Sequence, residues 1–541
     1  MTEPIVDLDA ARAAVELALE VVDAATRRLA ELGGPDANQQ LAYELAHAAA
    51  ATSIARSALD YAAHGETEQR IAVAFIADVV ADLQARTYGR EAVFGVAPGW
   101  ADPARAVLSV GRDPGFLGSI AETPGETHLD EDFALVAQTF HRFAAEQVRP
   151  HAEHVHRTNA DIPEALISGL AELGGLGLSV PEEYGGFATG GEHDYLGMVV
   201  ATEELTWGSL GIGGSLITRP EILTRALVNG GTEEQRQRWL PRLASGETLA
   251  AVAVTEPDYG SDVAGITTTA TRVEGGYLVN GTKTWCTFAA RADVLMLLAR
   301  TDPDRSLGHR GLSLLLVEKP VGDGHGFRFD QAPRDGAGLQ GRLEGRPIDT
   351  IGYRGMHSYE LSFENWFVPE DCLVGADAGL GRGFYLQMAG FENGRIQTAA
   401  RALGVMQAAY DAALDYARDR KVFGTEILDY ELTRAKLGRM VAVIQCARQY
   451  TYVVARLMAA GEGSLEASMA KAYVCRAAEW VTREAMQIHG GMGYAEEYPV
   501  SRYFVDARVL SIFEGADETL CLKVIARRLA ERGAAALSST G

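Results

Sequence analysis

Glu514 and the glycine that follows it are the first residues to consider for chemistry. They lie in Ile512-Phe513-Glu514-Gly515. A carboxylate can act as a general base in proton abstraction, and the missing side chain at Gly515 leaves room for a substrate to come close. The alternative is that Glu514 favours the start of a helix from about Thr519 through the helix dipole. Taken alone, the sequence favours the helix.

Other candidate residues are weak signals when each is taken alone. The glycines of Gly490-Gly491-Met492-Gly493 form a turn more often than a phosphate loop. Trp285 lies in a β-branched segment, where a tryptophan more often belongs to a core than to a cofactor site. The five cysteines are widely spaced and form no C-x-x-C pair, so they predict buried free thiols and no metal site.

The charge balance limits the possible partners. The 541 residues include 49 Lys and Arg against 73 Asp and Glu, which gives a net charge of −24. That balance argues against binding to nucleic acid or to an anionic membrane surface. No uncharged apolar run approaches the roughly 20 residues of a membrane span, and the first residues lack the basic and apolar regions of a signal peptide. We expect a cytoplasmic protein with no nucleic-acid or membrane partner.

The elements that must position these residues follow the order helices, helices, strands, helices. Apolar residues from Val15 to Leu32 recur at helical spacing until Gly33-Gly34-Pro35, and two further helices are predicted near 39–63 and 66–88. Residues 95–125 are rich in Gly and Pro, which predicts an irregular connector. A domain boundary is therefore expected near residue 125.

The rest of the chain changes period twice. A second helical stretch covers about 128–246, where Thr232 and Gln235 fit a capping box ahead of Trp239. Short β-branched runs then predict strands, and helical periodicity returns from Gly383 to the end. The predicted strands are 251–255, 266–273, 277–279, 294–298, 312–317 and 358–363. The predicted parts are a helical extension with its linker at 1–125, a helical domain at 126–247, a β domain at 248–375 and a helical bundle at 376–541.

Five motifs occur in a recognisable order along the chain. They are Val254-Thr255-Glu256-Pro257 with Gly260-Ser261-Asp262, Asn280-Gly281-Thr282-Lys283-Thr284-Trp285-Cys286-Thr287, Arg420-Lys421-Val422-Phe423-Gly424, Gln487-Ile488-His489-Gly490-Gly491-Met492-Gly493 and Ile512-Phe513-Glu514-Gly515. Over about residues 128–541 the chain resembles the acyl-CoA dehydrogenase flavoproteins. The resemblance implies an α+β multidomain fold made of a helical domain, a central β domain and a C-terminal four-helix bundle. It also implies that FAD is held between the β domain and the C-terminal bundle, partly by a second subunit. The amino-terminal helices lie outside the resemblance and form an extra helical domain.

The resemblance implies the dehydrogenation of an acyl-CoA thioester between its α and β carbons. Glu514 matches the glutamate that removes the α proton. Some members place the base elsewhere, at the position that is Gly394 in this chain, and a glycine cannot abstract a proton. Glu514 is then the matched candidate, with the nearby Glu392 as a control for mutation. Arg395 matches an arginine close to the active site and would contact substrate, with a helix-surface ion pair as an equal alternative.

The resemblance also implies which residues contact FAD. Near the isoalloxazine ring they are Thr255, Trp285 and Thr287, and Ser261 is implied at the flavin phosphate or at the pantetheine arm of CoA. The residues implied at the ADP half, across a dimer, are Arg420, Phe423, Gln487, Gly490 and Gly491. Departures from the family pattern, such as Val422 and Glu431, leave the ADP contacts less well matched than the isoalloxazine contacts.

The amino-terminal extension, with a longer segment at about 334–346, resembles the (2S)-methylsuccinyl-CoA dehydrogenases of the ethylmalonyl-CoA pathway. That implies oxidation of (2S)-methylsuccinyl-CoA to mesaconyl-CoA, with electron-transfer flavoprotein as acceptor and a homodimer or tetramer as the assembly. The substrate carboxylate would be costly in a dry pocket without a cation. Arg219 is the first candidate to bind it and Arg354 and His357 are rivals, while a solvated surface arginine is the alternative.

Three other functions stay open at this point. Within the fold, the chain could be another short- or branched-chain acyl-CoA dehydrogenase, or an acyl-CoA oxidase that passes electrons to O₂ and forms peroxide without an acceptor protein. A DNA-associated flavoprotein of the alkylation-response type shares the fold as well. That function needs a basic groove, which the net charge of −24 disfavours.

Overall fold

The structure is a computed structural model that describes residues 6–322, 325–333 and 340–539. Contacts group the chain into two compact units, Met1–Leu135 with Thr398–Gly541, and Val136–Gln397. The four parts read from the sequence stay a prediction about domains. Part of the longer segment predicted at about 334–346, residues 334–339, lies outside the described residues. None of the described helices is long and apolar enough to cross a membrane.

The first unit is helical. It opens with α1 (Leu8–Glu31), α2 (Gln39–Tyr61) and α3 (Glu66–Thr87), close to the predicted bounds. The connector at 95–125, predicted to be irregular, contains short helices at Arg105–Gly111 and Pro114–Ser119. The second of these begins at a local signal, because the Asp113 side chain accepts a hydrogen bond from Phe116 N and Pro114 occupies the first helical position.

The extension shares its core with the helices of the C-terminal part. In α1, Val15, Ala18 and Leu29 are buried. α1 packs against Ala526–Ser539, while α2 and α3 pack against Glu431–Ala459. The helices of the C-terminal part are Gly383–Asp419 from Thr398 onward, Glu431–Ala459, Ser464–Ile488, Pro499–Leu510, Asp517–Thr519 and Ala526–Ser539. The five cysteines of the whole chain are buried and form no disulfide, as predicted.

The second unit combines helices with a sheet. The predicted capping box is confirmed, because Thr232 Oγ1 accepts from Gln235 N and the Gln235 side chain accepts from Thr232 N. Its apolar core runs from Phe140 to Leu386 and includes both helical and strand residues. The helices are Glu131–Phe143 from Val136 onward, Arg149–Thr158, Glu164–Glu172, Met198–Gly208, Thr218–Gly230, Glu233–Ala244 and Gly383–Asp419 up to Gln397.

Eight strands of the described residues form one sheet in the order β1-β4-β2-β3-β8-β7-β6, with β5 paired to β4. β1 and β2 run parallel to β4, and the other pairs are antiparallel. The strands are β1 (Ala250–Ala253), β2 (Thr269–Val273), β3 (Gly276–Thr287), β4 (Val294–Arg300), β5 (Leu312–Glu318), β6 (Phe327–Gln331), β7 (Gly341–Ile348) and β8 (Ser358–Pro369).

The sequence prediction missed two of these strands, β6 and β7, and shortened two others. β3 was predicted only at its beginning, and β8 only over its first half. β7 alternates charged residues with Gly341, Leu343 and Gly345, so it lacks a β-branched run. A Cβ at Gly345 would lie 2.3 Å from the Phe327 ring, so the ring of the neighbouring strand takes the space of the missing side chain.

Candidate active site

β3 exposes an aromatic ring at the end of a buried strand. Its register against β8 shifts between Lys283 and Cys286, and such a bulge re-aims a side chain. Trp285 has φ 58°, unusual for a bulky residue, and is 57% exposed. Beyond the bulge, Thr287 is buried with its Oγ1 3.1 Å from Ser358 Oγ. Strained, exposed aromatic residues of this kind concentrate at binding sites.

Hydrogen bonds hold Thr255 beside the same strand. Thr284 N donates to Thr255 O at 2.8 Å, and Lys283 Nζ donates to Val254 O at 2.8 Å. Thr255 is therefore fixed next to the segment that carries Trp285 and Thr287. The structure brings these three predicted residues together in one unit, whereas Ser261 lies farther along the chain on an exposed turn.

A buried ion pair fastens the two segments. Lys283 Nζ lies 2.9 Å from Glu256 Oε1, and both side chains are almost fully buried. Glu256 also accepts hydrogen bonds from the backbone N–H groups of Thr267 and Thr268. Burial alone raises the pKa of Glu256, but the Lys283 charge and these hydrogen bonds outweigh burial and lower the pKa to about 2. The carboxylate therefore stays ionised at neutral pH.

Replacing Lys283 with Met should destabilise the protein by about 3–5 kcal/mol, because it leaves the Glu256 charge buried without a partner. The pKa of Glu256 falls from 4.5 in the unfolded chain to about 2 in the folded protein. The ionised carboxylate therefore stabilises the fold at pH values above 4.5, and this stabilisation is lost as the pH falls towards about 2. The wild-type melting temperature should therefore decline more steeply with acid than that of the variant.

Thermal melting of the protein between neutral and acid pH measures both effects. Arg328→Met is the control, because Arg328 pairs with Asp330 at 3.5 Å on the exposed side of β6 and such pairs contribute about 0–1 kcal/mol. A Lys283→Met variant that melts with the control at neutral pH would contradict the prediction.

Arg219 is a buried cation, so the alternative interpretation, a solvated surface arginine, is wrong. Its side chain is on the Thr218–Gly230 helix and only 8% exposed, with Nη2 donating to Tyr353 Oη at 3.2 Å. Among the described residues no acceptor bonds to Arg219 Nε. Its charge acts on the Cys286 thiol, whose pKa burial raises to about 12 while Lys283 and Arg219 oppose the rise. Arg219 therefore lies near the strand that carries Trp285.

The two rival side chains already have partners, and burial lowers the pKa of His357, so its imidazole is neutral at neutral pH. Arg354 donates through Nη1 to His156 O at 2.7 Å and through Nε to Thr350 O at 3.1 Å. His357 Nε2 lies 2.8 Å from Asp161 Oδ1. Arg219 is thus the best placed of the three to bind an additional anion.

Buried polar groups on two helices of the second unit, Thr218–Gly230 and Gly383–Asp419, were missed by the sequence prediction. Thr218 Oγ1 and both amide atoms of Gln387 are fully buried and have no hydrogen-bond partner among the described residues. Leaving such groups unpaired in a dry core is costly, so they suit a polar ligand. The sequence does contain one indication of a buried polar group, because Gln387 interrupts the apolar run Tyr385-Leu386-Gln387-Met388.

The Arg395 region lies farther along the helix that carries Gln387. Arg395 and Glu392 are half-buried, and Gly394 is buried. The choice between a substrate contact and a surface ion pair stays open for Arg395.

Glu514 lies in a loop and takes no part in the first turn of a helix. The next helical turn begins at Asp517, and Glu514 itself has φ 52°. Its side chain is 7% exposed, with Oε1 accepting from Arg401 Nη2 at 2.8 Å and Oε2 accepting from Thr398 Oγ1 at 3.1 Å. Gly515 has φ 104°, and a Cβ there would meet no atom within 4 Å. The loop therefore combines a buried carboxylate with open space beside it.

The sequence prediction missed Arg401, the cation beside Glu514. Arg401 is fully buried, and its guanidinium also lies over the Phe513 ring at 4.8 Å. The arginine interrupts Ala399-Ala400-Arg401-Ala402 in a long helix, and an arginine in a buried stripe has to be paired. The Arg401 guanidinium therefore fixes where the Glu514 carboxylate lies.

If Glu514 is the base that the sequence resemblance implies, replacing Arg401 with Gln should slow reduction of the implied flavin by acyl-CoA about 10- to 100-fold, because a displaced base is that costly. Arg401→Lys keeps the charge without the planar guanidinium, so it should retain more of the rate. Stopped-flow flavin bleaching, corrected for FAD content, measures both variants. Equal rates in Arg401→Gln and the wild type would show that Arg401 does not orient Glu514.

The residues predicted for the ADP half of FAD lie on an exposed surface of the first unit. Lys421–Val422 and Thr425–Glu426 form a short hairpin with Phe423 at its tip, 97% exposed and with φ 52°. Arg420 at the hairpin base is exposed, as are Gln487 in the last turn of the Ser464–Ile488 helix and Gly490 and Gly491 just after it. The Tyr416 and His489 rings stack at 4.2 Å, which brings the two segments together.

Comparisons with known proteins agree on one family. Family models described as the N-terminal, middle and C-terminal domains of acyl-CoA dehydrogenase match residues 130–247, 251–366 and 381–530. The (2S)-methylsuccinyl-CoA dehydrogenase of Cereibacter sphaeroides is 43% identical over 408 residues, which are 75% of this chain and 71% of that protein. The chain belongs to the acyl-CoA dehydrogenase family. It is an oxidoreductase that acts on CH–CH groups and depends on FAD.

Solved structures support the same fold. Butyryl-CoA dehydrogenase from Megasphaera elsdenii is 30% identical, with a TM-score of 0.66 over 75% of this chain and all (100%) of that one. A glutaryl-CoA dehydrogenase from Mycobacterium smegmatis in complex with FADH2 is 25% identical, with a TM-score of 0.64 over 74% of this chain and 95% of that one. The predicted family, α+β fold and FAD cofactor are confirmed, and the matches begin after the amino-terminal helices.

The residues of this chain fit the flavin. Trp285 offers an exposed indole face, and Thr255 and Thr287 supply hydroxyl groups on the same strand region. Phe423 is 97% exposed at the tip of its hairpin, so its ring is free to stack on a planar group. When bound, FAD accepts the hydride that leaves the substrate.

Proposed function

We propose that this dehydrogenase oxidises (2S)-methylsuccinyl-CoA to mesaconyl-CoA and passes the electrons to electron-transfer flavoprotein. The observation that carries the proposal is the buried guanidinium of Arg219, which suits an acyl group with a second carboxylate. The methylsuccinyl-CoA dehydrogenase of Cereibacter sphaeroides, 43% identical, supports the same substrate. A charge taken out of water needs a partner of opposite sign, and a substrate carboxylate would also give Arg219 Nε an acceptor.

Glu514 is the base in this proposal. Its carboxylate takes the α proton of the thioester, and its backbone N–H donates to the thioester carbonyl, where negative charge develops. Arg401 and Thr398 hold the carboxylate in place, each through one hydrogen bond. The open space at Gly515 lets the thioester approach. The β carbon, which carries the substrate carboxylate, loses hydride to the flavin in the same dehydrogenation.

The ADP half of FAD is bound by the exposed surface of a second copy of the chain in this proposal. Arg420 contacts the pyrophosphate and Phe423 lies beside adenine, while Gln487, Gly490 and Gly491 let backbone approach the phosphates. Gly490 has φ 58° and a Cβ there would meet no atom within 4 Å, so its surface is open to a phosphate. Ser261 binds a phosphate or the pantetheine arm, and Arg395 contacts the substrate.

Replacing Arg420 with Ala should weaken FAD binding about tenfold or more, because one charge-assisted contact to a phosphate is lost. The ratio of flavin to protein absorbance after gel filtration at low concentration measures the loss. Lys421→Ala is the matched control, since Lys421 is the neighbouring exposed cation and pairs with Glu426 at 3.6 Å. A variant at Arg420 that keeps FAD as well as Lys421→Ala does would remove Arg420 from the site.

Anaerobic reduction of the flavin by a panel of acyl-CoA thioesters tests the proposed substrate. The panel contains methylsuccinyl-CoA, butyryl-CoA, isovaleryl-CoA and glutaryl-CoA. Methylsuccinyl-CoA should bleach the flavin fastest, and reoxidation should need electron-transfer flavoprotein. Faster bleaching by a monocarboxylic thioester would overturn the substrate, and rapid peroxide formation without the acceptor protein would indicate an oxidase.

A further inference from the structure

A loop of seven residues carries Glu514 between two helical segments. It starts at Ser511, after the Pro499–Leu510 helix, and ends at Asp517, whose backbone N donates to Ser511 O at 3.1 Å. Glu514 and Gly515 both have positive φ, at 52° and 104°. A backbone in this conformation persists only where neighbouring groups hold it. The contacts of the loop therefore decide where the Glu514 carboxylate lies.

One side of the loop is held by the C-terminal helices. Lys471 Nζ donates to Gly515 O at 2.6 Å from the Ser464–Ile488 helix. Arg401 Nη2 donates to the Glu514 carboxylate at 2.8 Å. These contacts come from the part of the chain that the family models match.

The other side is held by the amino-terminal extension, which those models do not match. Tyr43 Oη donates to Asp517 Oδ2 at 2.5 Å, and His47 Nε2 lies 3.1 Å from the same oxygen. Tyr43 and His47 are one helical turn apart on α2, so both side chains leave the same face. Cys521 Sγ completes the cluster 3.5 Å from His47 Nε2.

The cluster is buried and its only formal charge is on Asp517. His47 is 5% exposed, Asp517 8% and Cys521 0%. Burial lowers the pKa of His47, so the imidazole is neutral at neutral pH. Burial alone raises the pKa of Asp517, but the hydrogen bonds from His47 and Tyr43 outweigh it and keep that pKa below its usual value. The extension therefore supplies the donors that let a charged Asp517 stay at the end of the loop.

We propose that the amino-terminal extension positions Glu514 for proton abstraction, because Tyr43 and His47 on α2 bond to Asp517 at the end of the loop that carries this glutamate. The inference rests on the proposed role of Glu514 as the base. Tyr43, His47 and Asp517 are positioning residues, because they act on Glu514 only through the loop that carries it. Loss of the two donors leaves the buried Asp517 Oδ2 without its hydrogen bonds, since the remaining weak donor, Cys521 Sγ, contacts Oδ1 at 3.8 Å, and the loop moves to find other partners.

Variants of the full-length, FAD-loaded enzyme test the proposal. Tyr43→Phe removes one donor with almost no change in volume, and His47→Leu removes the other. Tyr61→Phe is the matched control, because Tyr61 is a buried tyrosine on the same helix whose Oη donates to Glu126 O at 3.1 Å, away from the loop. His47→Gln keeps a side-chain N–H and serves as the conservative rescue.

The readouts are the limiting rate of anaerobic flavin bleaching and the dissociation constant of the thioester, measured with whichever acyl-CoA reduces the wild type fastest. We expect the limiting rate to fall about tenfold or more in the Tyr43→Phe, His47→Leu double variant, with the dissociation constant within about twofold, since displacement of a catalytic group by about 1 Å can cost about a hundredfold. Tyr61→Phe should keep the wild-type rate, and His47→Gln should recover most of it.

Each remaining outcome has one meaning. A wild-type rate in the FAD-loaded Tyr43→Phe, His47→Leu double variant would overturn the proposal, as would equal slowing in Tyr61→Phe, which would reduce the effect to general stability. If the double variant loses FAD, the single variants decide. Glu514→Gln separates the two hypotheses: bleaching that survives in Glu514→Gln removes the base, whereas abolished bleaching there with unaffected extension variants removes only the inference about positioning.

Discussion

Glu514→Gln should give a yellow, FAD-loaded protein whose flavin acyl-CoA thioesters no longer bleach. Glutamine has the same shape and keeps an oxygen that can accept from Arg401, so the loop should stay in place. It has no basic carboxylate, and general-base catalysis contributes about 10²–10⁴-fold to the rate. Anaerobic stopped-flow bleaching should therefore slow by at least that factor, with the dissociation constant of the thioester changed only a few-fold.

Glu392→Gln is the matched control for this change. Glu392 is an acid on the Gly383–Asp419 helix, next to the segment where some family members carry their base, and it is half-buried. Its replacement should leave bleaching within a few-fold of the wild type. If Glu392→Gln abolishes bleaching and Glu514→Gln does not, the base has been assigned to the wrong residue.

Ordered motifs made the family and the order of elements predictable. Five short segments gave the family before any contact was known, and the capping box at Thr232 and Gln235 was correct in detail. These features are local, so neighbouring residues alone decide them. The choice between the base and a helix start for Glu514 needed more than local sequence.

Pairing between distant segments could not be read from the chain. Arg401 lies 113 residues from Glu514, and His47 lies 470 residues from Asp517. β6 and β7 are strands because each has a neighbour, since their own residues carry only a weak β pattern. A buried arginine or histidine tells the reader that a partner exists, while the fold decides which partner it is.

The burial of Arg219 changes how this residue is interpreted. On the sequence alone a surface arginine was the stronger alternative, and 8% exposure removes it. Hydrogen bonding weakens the case for Arg354, because its guanidinium already donates to two backbone carbonyls. Arg219 and Arg354 can be distinguished as binders of the substrate carboxylate by measuring selectivity between substrates, more than by measuring overall activity.

Replacing Arg219 with Met should convert a dicarboxylic preference into a monocarboxylic one. If Arg219 faces the carboxylate of methylsuccinyl-CoA, the variant leaves that anion buried without a partner, and loss of one member of such a pair costs about 2–5 kcal/mol. That is a fall in kcat/KM of about 30- to 4000-fold, because every 1.4 kcal/mol is a factor of ten. For butyryl-CoA, which has no second carboxylate, the apolar methionine should leave kcat/KM unchanged or higher.

The ratio of kcat/KM for the two thioesters is the decisive measurement, because a general loss of stability or FAD lowers both values together and cancels in the ratio. Arg354→Met is the matched control, with the same substitution at a rival cation, and its ratio should equal that of the wild type. Tyr353→Phe removes the phenol that accepts from Arg219 but keeps the charge, so it should shift the ratio only a few-fold. If Arg354→Met changes the ratio and Arg219→Met does not, the substrate carboxylate is bound by Arg354.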